Sequence, residues 1–168
     1  MERIYWDEMM VEKRPIVVAW TDRGLCYVGS FIETFEHFCV WQKKYIPQAD
    51  VVRYDGESIY KDQILQYFRG QRTQFDVSFD LKGTSFQQSV WQELNKIPYG
   101  KTVSYSYIAK AINNLKAVRA VGRAIGQNPL TIVIPCHRVI GKNGTLTGFR
   151  GGLEMKEVLL ELEKSGEL

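Results

Sequence analysis

The sequence has few cysteines, with three in 168 residues, and they are widely spaced: Cys26, Cys39 and Cys136. An odd number of distant cysteines argues against a disulfide framework, so we expect reduced thiols. The sequence also lacks any run of about 18 apolar residues, and its start lacks the basic-then-apolar order of a secretory signal. We therefore expect a cytoplasmic protein that does not associate with a membrane.

Metal ligands are scarce as well. Cys26, His37 and Cys39 offer three zinc ligands with no matching fourth, so no metal site is predicted. Instead, Cys26 in a predicted strand and Cys39 on an apolar helical stripe are assigned to the core.

A large excess of either charge is also missing, because 22 Lys and Arg stand against 19 Asp and Glu, for a net charge of +3. Any polyanionic partner would have to be held by a local cluster of basic residues. What is present is the composition of a globular protein, with 45% hydrophobic and 24% charged residues. The length suffices for one full core or two small ones.

The first half is predicted to be a small α/β domain with a short antiparallel sheet. Apolar runs over residues 15–20 and 25–32 flank a turn signal and predict a β-hairpin. Helical spacing over residues 33–45 and 57–69 predicts two helices packed on this sheet. Apolar and polar residues alternate over residues 75–81, which predicts a last strand.

From Gly83 onward the pattern is mainly helical, beginning with a cap at Thr84 or Ser85. We place a domain boundary near residue 82, which divides the chain into an amino-terminal α/β domain, residues 1–81, and a mostly helical domain, residues 82–168. The predicted fold class is therefore α+β.

The helical domain contains a candidate helix-turn-helix. Ser104 can cap a helix over residues 105–112, and a second helix over residues 116–127 follows after a short break. Three apolar residues form the buried stripe of the second helix: Val118, Val121 and Ile125. The opposite face is basic and carries Lys116, Arg119, Ala120, Arg123 and Gln127. Small residues that would allow close approach to a narrow DNA groove are Ala117, Ala120, Gly122 and Ala124. A solvated basic face on an ordinary helix pair is the alternative interpretation.

Cys136 is the candidate nucleophile. It follows an apolar, β-branched run over residues 131–134 and then Pro135, so its thiol is expected at the end of a rigid element. A thiol with a pKa of about 8.5 is little ionised at neutral pH, so reactivity needs a base or a positive field. His137 and Arg138 are the local candidates for that role, and a buried, inert cysteine is the alternative.

Glu163 is the candidate partner of His137. Adjacent side chains diverge, so His137 would reach Cys136 through a water, with a carboxylate on its other ring nitrogen. Glu163 lies at the edge of the apolar stripe of a helix predicted over residues 153–164, about 80° from Met155. Spacing alone favours a surface position for Glu163.

A series of ordered motifs runs from about residue 80 to residue 163: Gly83-Thr84-Ser85-Phe86-Gln87, Ile97-Pro98-Tyr99-Gly100, Val103-Ser104-Tyr105, Arg119-Ala120-Val121-Gly122, Gln127-Asn128-Pro129, Pro135-Cys136-His137-Arg138-Val139 and Gly148-Phe149-Arg150-Gly151-Gly152-Leu153. In these motifs and their spacing the chain closely resembles the 6-O-alkylguanine-DNA alkyltransferases, also called methylated-DNA-protein-cysteine methyltransferases. The amino-terminal half matches that family only in pattern and position.

This resemblance implies direct-reversal DNA repair. Cys136 would accept an alkyl group from the 6-oxygen of guanine, and also from the 4-oxygen of thymine, after activation through a water by His137, which Glu163 orients. Asn128 would tie the recognition helix to the active-site turn. The transfer would be irreversible and single-turnover, would need no cofactor, and would be carried out by a monomer.

The resemblance also implies how double-stranded DNA containing alkylated guanine is held. Tyr105 would press on the 3′ phosphate as the nucleotide rotates out of the stack, and would donate its hydroxyl to guanine N3. Arg119 would fill the vacated stack. The other residues expected at the minor groove are Ala117, Ala120, Gly122 and Arg123.

The same resemblance assigns the walls of the base pocket. The carbonyls of Cys136 and Val139 would accept from the guanine amino group. The loop through Phe149 and Arg150 would wall the pocket and approach the exocyclic oxygen. Two other functions remain as alternatives: a helix-turn-helix module that marks lesions without chemistry, and a Cys-His hydrolase with multiple turnovers.

Overall fold

The first half of the chain folds into a four-stranded sheet and two helices. The computed structural model describes residues 1–168. The strands are β1 (Arg3–Val11), β2 (Arg14–Thr21), β3 (Gly24–Val28) and β4 (Asp50–Arg53), in the spatial order β3-β2-β1-β4. The β1/β2 and β2/β3 pairs are antiparallel, whereas β1 and β4 are parallel. The predicted short sheet is thus present, with one parallel pair that alternation alone did not indicate.

The predicted hairpin is confirmed as β2 and β3, and both predicted helices are present as α1 (Phe35–Tyr45) and α2 (Ile59–Phe68). Cys26 is buried in β3, as expected, but Cys39 on α1 is only half-buried at the edge of the core. The residues of the chain include no group of three or more His, Cys, Asp or Glu that could hold a metal ion.

The strand predicted over residues 75–81 is wrong. This segment meets the sheet at only one point, where Leu25 donates its amide to Ser78 O at 2.9 Å and accepts from the Asp80 amide at 2.8 Å. Asp80 then turns its carboxylate inward to accept a hydrogen bond from the Thr21 hydroxyl at 2.6 Å. Because this polar anchor replaces continued pairing along β3, the segment remains irregular.

The second half is mainly helical, with α3 (Ser85–Leu94), α4 (Tyr105–Ala111), α5 (Val118–Gly126) and α6 (Leu153–Ser165). Two very short strands, β5 (Val103–Ser104) and β6 (Val139–Ile140), pair in parallel. The predicted caps are confirmed. Thr84 accepts from the Gln87 amide in a capping box, and Ser104 accepts from the Tyr107 amide at 3.1 Å. Both satisfy amides that a helix start would otherwise leave without a partner.

Helices α4 and α5 form the helix-turn-helix. The second helix was expected from residue 116, but the chain first makes a 3-10 turn over Leu115–Ala117, so α5 begins at Val118. Asn113 before this turn has φ of +58°, a conformation that asparagine tolerates better than most residues. Val121 and Ile125 are buried as predicted, and Val118 is half-buried.

A single hydrophobic cluster of 28 buried residues joins the two halves, from Met9 and Ile16 in the sheet to Leu159 and Leu162 in α6. The boundary near residue 82 is therefore crossed by a shared core and stays a prediction. No helix has the length and apolar character that crossing a membrane would need.

Candidate active site

Two consecutive tight turns deliver Cys136 to the interior. In the first, the Val133 amide donates to Thr131 O at 2.9 Å around Ile132, which has φ of +76°. A β-branched residue at positive φ is a strained outlier that persists only where its surroundings impose it. In the second, the Cys136 amide donates to Ile134 O at 2.8 Å across Pro135. The run over residues 131–134 is thus buried as expected, and Cys136 begins a 3-10 turn that ends at Arg138.

The Cys136 thiol is buried, with 4% of the residue exposed. Burial raises the pKa of this thiol, while a hydrogen bond from Asn128 and the positive charges of Arg150 and Lys156 act to lower it. The positive field at the thiol therefore comes from Arg150 and Lys156 and not from Arg138.

Asn128 joins the end of α5 to the turn that carries Cys136. Its side-chain amide donates to Ile134 O at 2.9 Å, and its side-chain oxygen accepts from the Leu130 amide at 3.0 Å. All of these groups are buried, so the bonds are costly to break. Asn128 therefore links the residues that follow α5 to the turn before Cys136, and its role in the reaction stays a prediction.

His137 is completely buried, and its two ring nitrogens have different surroundings. Nε2 lies 2.8 Å from Oε1 of Glu163, whereas Nδ1 is buried with no hydrogen-bond partner. Burial lowers the pKa of His137, and Glu163 opposes that effect only in part. Because an ionised carboxylate only accepts hydrogen bonds, Nε2 carries the proton and Nδ1 presents a free lone pair. His137 is therefore a neutral base with Nδ1 available.

Glu163 is buried, so the surface position favoured by spacing alone is wrong. Arg138 donates to both of its oxygens, with Nε 2.9 Å from Oε2 and Nη2 2.6 Å from Oε1. The hydroxyl of Tyr67 donates to Oε1 at 2.8 Å. The His137 and Arg138 hydrogen bonds overcome the effect of burial and lower the pKa of Glu163 to about 2. Arg138 is thus the counter-ion of Glu163, not the group that activates the thiol.

Lys156 is a buried charged residue close to Cys136 that was not predicted from the sequence. Its ammonium is buried and donates to Val139 O at 2.6 Å and Thr147 O at 3.2 Å. Burial lowers its pKa, and Cys136 opposes this. A signal was available, because Lys156 and Glu163 are seven residues apart and therefore share one face of α6, within about 20° of each other. Two charged residues aligned on an otherwise apolar stripe indicate an internal polar site.

The segment between β6 and α6 lies over the site and is held by Arg150. Its guanidinium donates to Asn128 O at 2.5 Å, Val28 O at 2.9 Å and the Thr131 hydroxyl at 2.5 Å, and Nε lies 2.9 Å from Glu33 Oε1. These bonds connect the loop to β3 and to the end of α5. The Arg150 side chain is thus directed at protein groups, and the expected approach of this loop to the exocyclic oxygen of guanine stays a prediction.

Tyr105 stands at the start of α4 between this loop and the recognition helix. Its hydroxyl is 2.8 Å from the Thr147 hydroxyl. Its ring packs beside Gly122, where an added Cβ would lie 3.7 Å from the ring. On the outer face of α5, Arg119, Ala120 and Arg123 are exposed. Neither Arg119 nor Arg123 forms an ion pair, so both guanidinium groups are available to a ligand.

The structure therefore brings Cys136, His137, Glu163 and Asn128 into one buried cluster, with Val139 at the end of the 3-10 turn. Of the predicted DNA-facing residues, Arg119, Ala120 and Arg123 lie on the exposed side of α5, and Gly122 is half-buried on the same helix. Ala117 is half-buried in the turn before α5, and Tyr105 begins α4. A helix-turn-helix with a basic outer face, joined to a buried cysteine, histidine and glutamate, defines a cysteine-dependent enzyme that acts on a nucleic acid.

Comparison with known proteins specifies the family. Residues 85–165 match the family described as 6-O-methylguanine DNA methyltransferase, DNA binding domain. The inducible methylated-DNA--protein-cysteine methyltransferase of Bacillus subtilis is 49% identical over 162 residues, which cover 96% of this chain and 90% of that protein. The corresponding protein of Methanosarcina acetivorans is 45% identical and covers 90% of this chain and 92% of its own length. The crystal structure of Mycobacterium tuberculosis OGT in complex with DNA has 40% identity and a TM-score of 0.83, covering 97% of this chain and 94% of that one.

The chain belongs to the methylated-DNA–protein-cysteine methyltransferase family of DNA-repair proteins. Its enzyme class is therefore methylated-DNA–protein-cysteine S-methyltransferase.

Proposed function

We propose that Cys136 is the acceptor of the alkyl group, taken from the 6-oxygen of guanine in double-stranded DNA. The observation that carries the proposal is the difference between the two ring nitrogens of His137. Nε2 is held by Glu163, whereas Nδ1 has no partner and is free to act as a base. A buried polar atom without a partner needs an explanation, and a bridging water between Nδ1 and the Cys136 thiol supplies one.

The chemistry is a displacement at carbon. The thiol proton passes through the water to His137, and the sulfur forms a bond to the alkyl carbon while the bond from that carbon to the guanine oxygen breaks. The electron pair of the broken bond stays on guanine, whose charge is met by a hydrogen bond from Tyr105. Lys156 and Arg150 stabilise the thiolate before it reacts. The product is a thioether, so the reaction ends after one turnover and needs no cofactor.

The base has to leave the duplex to reach a thiol that is buried in the protein. Extrusion costs a few kcal/mol, and an inserted Arg119 would partly replace the lost stacking. Small residues on α5, Ala120 and Gly122, and Ala117 in the turn before it would let the helix sit close to the minor groove, where Arg123 would meet a phosphate. Tyr105 would exchange its hydrogen bond to Thr147 for one to guanine N3.

The pocket contacts are proposed in the same way. The carbonyls of Cys136 and Val139 would accept from the guanine amino group. Each already accepts one bond in the protein, from the Val139 amide and from Lys156 respectively, and each oxygen has a second lone pair. Phe149 would form an apolar wall, and Arg150 would hold that wall in place. The 4-oxygen of thymine presents the same alkylated group and is included as a second substrate, and the protein is proposed to act as a monomer.

The test is the intact mass of the protein after incubation with duplex DNA that contains 6-O-methylguanine. We expect the gain of one methyl group at Cys136, saturation at one equivalent of DNA, and no gain in Cys136→Ala. Tight binding with unchanged mass would instead support a lesion-marking module. Continued turnover beyond one equivalent would support a Cys-His hydrolase.

A further inference from the structure

One residue of the amino-terminal half enters the polar cluster at the active site. Tyr67 belongs to α2, is fully buried, and places its hydroxyl 2.8 Å from Glu163 Oε1 across 96 residues of sequence. That hydroxyl has no other hydrogen-bond partner. The aromatic ring is packed among Phe68, Phe75 and Tyr99, which hold it in one orientation.

The direction of this hydrogen bond follows from charge. Glu163 is ionised at neutral pH, since its pKa is lowered to about 2, and so it can only accept. Burial, together with the neighbouring Glu163, raises the pKa of Tyr67 well above its usual value, so Tyr67 keeps its proton and donates it. Tyr67 and His137 therefore donate to the same oxygen, Oε1.

Sharing this oxygen has a geometric consequence. The terminal torsion of a glutamate is soft, and Arg138 alone could be satisfied by a carboxylate rotated by half a turn or tilted. The Tyr67 hydroxyl is held in place by the amino-terminal half of the chain, and its hydrogen bond keeps Oε1 directed at His137 Nε2. That contact in turn keeps the ring proton on Nε2 and the lone pair on Nδ1.

We propose that Tyr67 is a positioning residue for the reaction at Cys136: its hydroxyl orients Glu163, which orients His137, so that the amino-terminal domain completes the active site. The inference rests on the proposed role of Cys136 and His137. It assigns to the first domain a part in catalysis, in addition to its share of the common core.

The other titratable groups that face His137 and Glu163 are Arg138, Lys156 and Tyr99. Of these, Tyr99 provides a matched control, because it is an adjacent tyrosine whose hydroxyl is directed at Leu162 O, 3.4 Å away, rather than at the Glu163 carboxylate. Tyr67→Phe and Tyr99→Phe each remove one hydroxyl and retain the ring packing.

The experiment measures the single-turnover rate constant with free 6-O-benzylguanine as a function of pH, from about pH 5 to about pH 9, a range that brackets the titration of histidine. In Tyr67→Phe, Glu163 loses a donor and becomes a stronger acceptor for the His137 proton, so the pKa of His137 rises. We expect the acid limb of the profile to move to higher pH and the plateau to fall about ten-fold. Tyr99→Phe should match the unmodified protein in both respects.

A second variant guards against a loss of folding in Tyr67→Phe. Site-specific 3,5-difluorotyrosine at position 67 keeps the shape of the ring but makes the hydroxyl a stronger donor. The acid limb should then move to lower pH, opposite to Tyr67→Phe. Unchanged profiles in both variants, or shifts of the same sign, would overturn the proposal.

The titration of the His137 ring by NMR separates this proposal from the proposed function. If the protein without substitutions does not gain a methyl group at Cys136, the proposed role of Cys136 is refuted. The pKa of His137 in Tyr67→Phe would still report whether Tyr67 sets the state of Glu163.

Discussion

Replacing Glu163 with glutamine tests whether the buried charge cluster under Cys136 is held together as the structure shows. The glutamine side chain has nearly the same shape but no charge, and one of its two terminal groups is a donor. Glu163 accepts from Arg138, His137 and Tyr67, so in Glu163→Gln an NH₂ group replaces one of the two oxygens that accept these hydrogen bonds. Arg138 is left as a buried cation without a counter-ion.

The magnitude follows from that unpaired charge. Removing one partner of a buried ion pair costs about 3 to 5 kcal/mol. For a chain of this length each kcal/mol lowers Tm by about 2 to 4 °C, so we expect a decrease of roughly 6 to 20 °C. The difference in stability between Glu163→Gln and the protein without substitutions depends on pH. Because the folded pKa of Glu163 is about 2, below its usual 4.5, the stabilisation by the carboxylate is complete above pH 4.5 and is lost as pH falls toward 2.

The assay is guanidinium denaturation of both proteins at neutral pH and at several acidic values, with Glu161→Gln as the control. Glu161 lies on the same helix, is exposed and forms no ion pair, so its neutralisation should change the free energy of unfolding by less than about 0.5 kcal/mol. If Glu163→Gln is as stable as Glu161→Gln at neutral pH, or if its deficit does not shrink in acid, the assigned cluster is wrong.

Two further substitutions test the proposed insertion of Arg119 into DNA and the anchoring of the loop by Arg150. Arg119→Ala should slow repair of duplex DNA much more than reaction with free 6-O-benzylguanine, because only the duplex requires extrusion of the base; equal losses in single-turnover rates on both substrates would contradict the proposed insertion of Arg119. Arg150→Ala removes charged hydrogen bonds to Val28 and Asn128 and should lower the free energy of unfolding by about 2 kcal/mol. Hydrogen exchange should then speed up in the loop before α6, whereas Lys142→Ala, an exposed change in that loop, should leave it unaltered.

Local signals in the sequence were sufficient for several elements. Thr84 and Ser104 cap α3 and α4 as predicted, because a cap depends only on the hydroxyl and amides two or three residues ahead. The hairpin of β2 and β3 was predictable for the same reason, since its turn and alternating strands are contiguous.

Elements that depend on distant partners were not predictable in this way. β4 was missed because it is only four residues long and acquires its strand geometry from parallel pairing with β1. β1 was also missed, although its antiparallel partner β2 follows after a two-residue turn. The strand expected over residues 75–81 failed because the buried carboxylate of Asp80 bonds to Thr21, 59 residues away, and ends the pairing.

The sequence by itself determined the reactive segment: a cysteine next to a histidine after a proline, preceded by a helix with a basic face and within motifs of a recognisable family. Only the tertiary structure decided which neighbours act on that segment. Glu163 was indistinguishable from a surface residue by spacing, Tyr67 was assigned only to the apolar stripe of a helix, and Lys156 was not assigned. Their roles arise because folding removes water from groups that are 26 and 96 residues apart in the chain, and it is in this buried environment that their charges and hydrogen bonds set the state of His137 and Cys136.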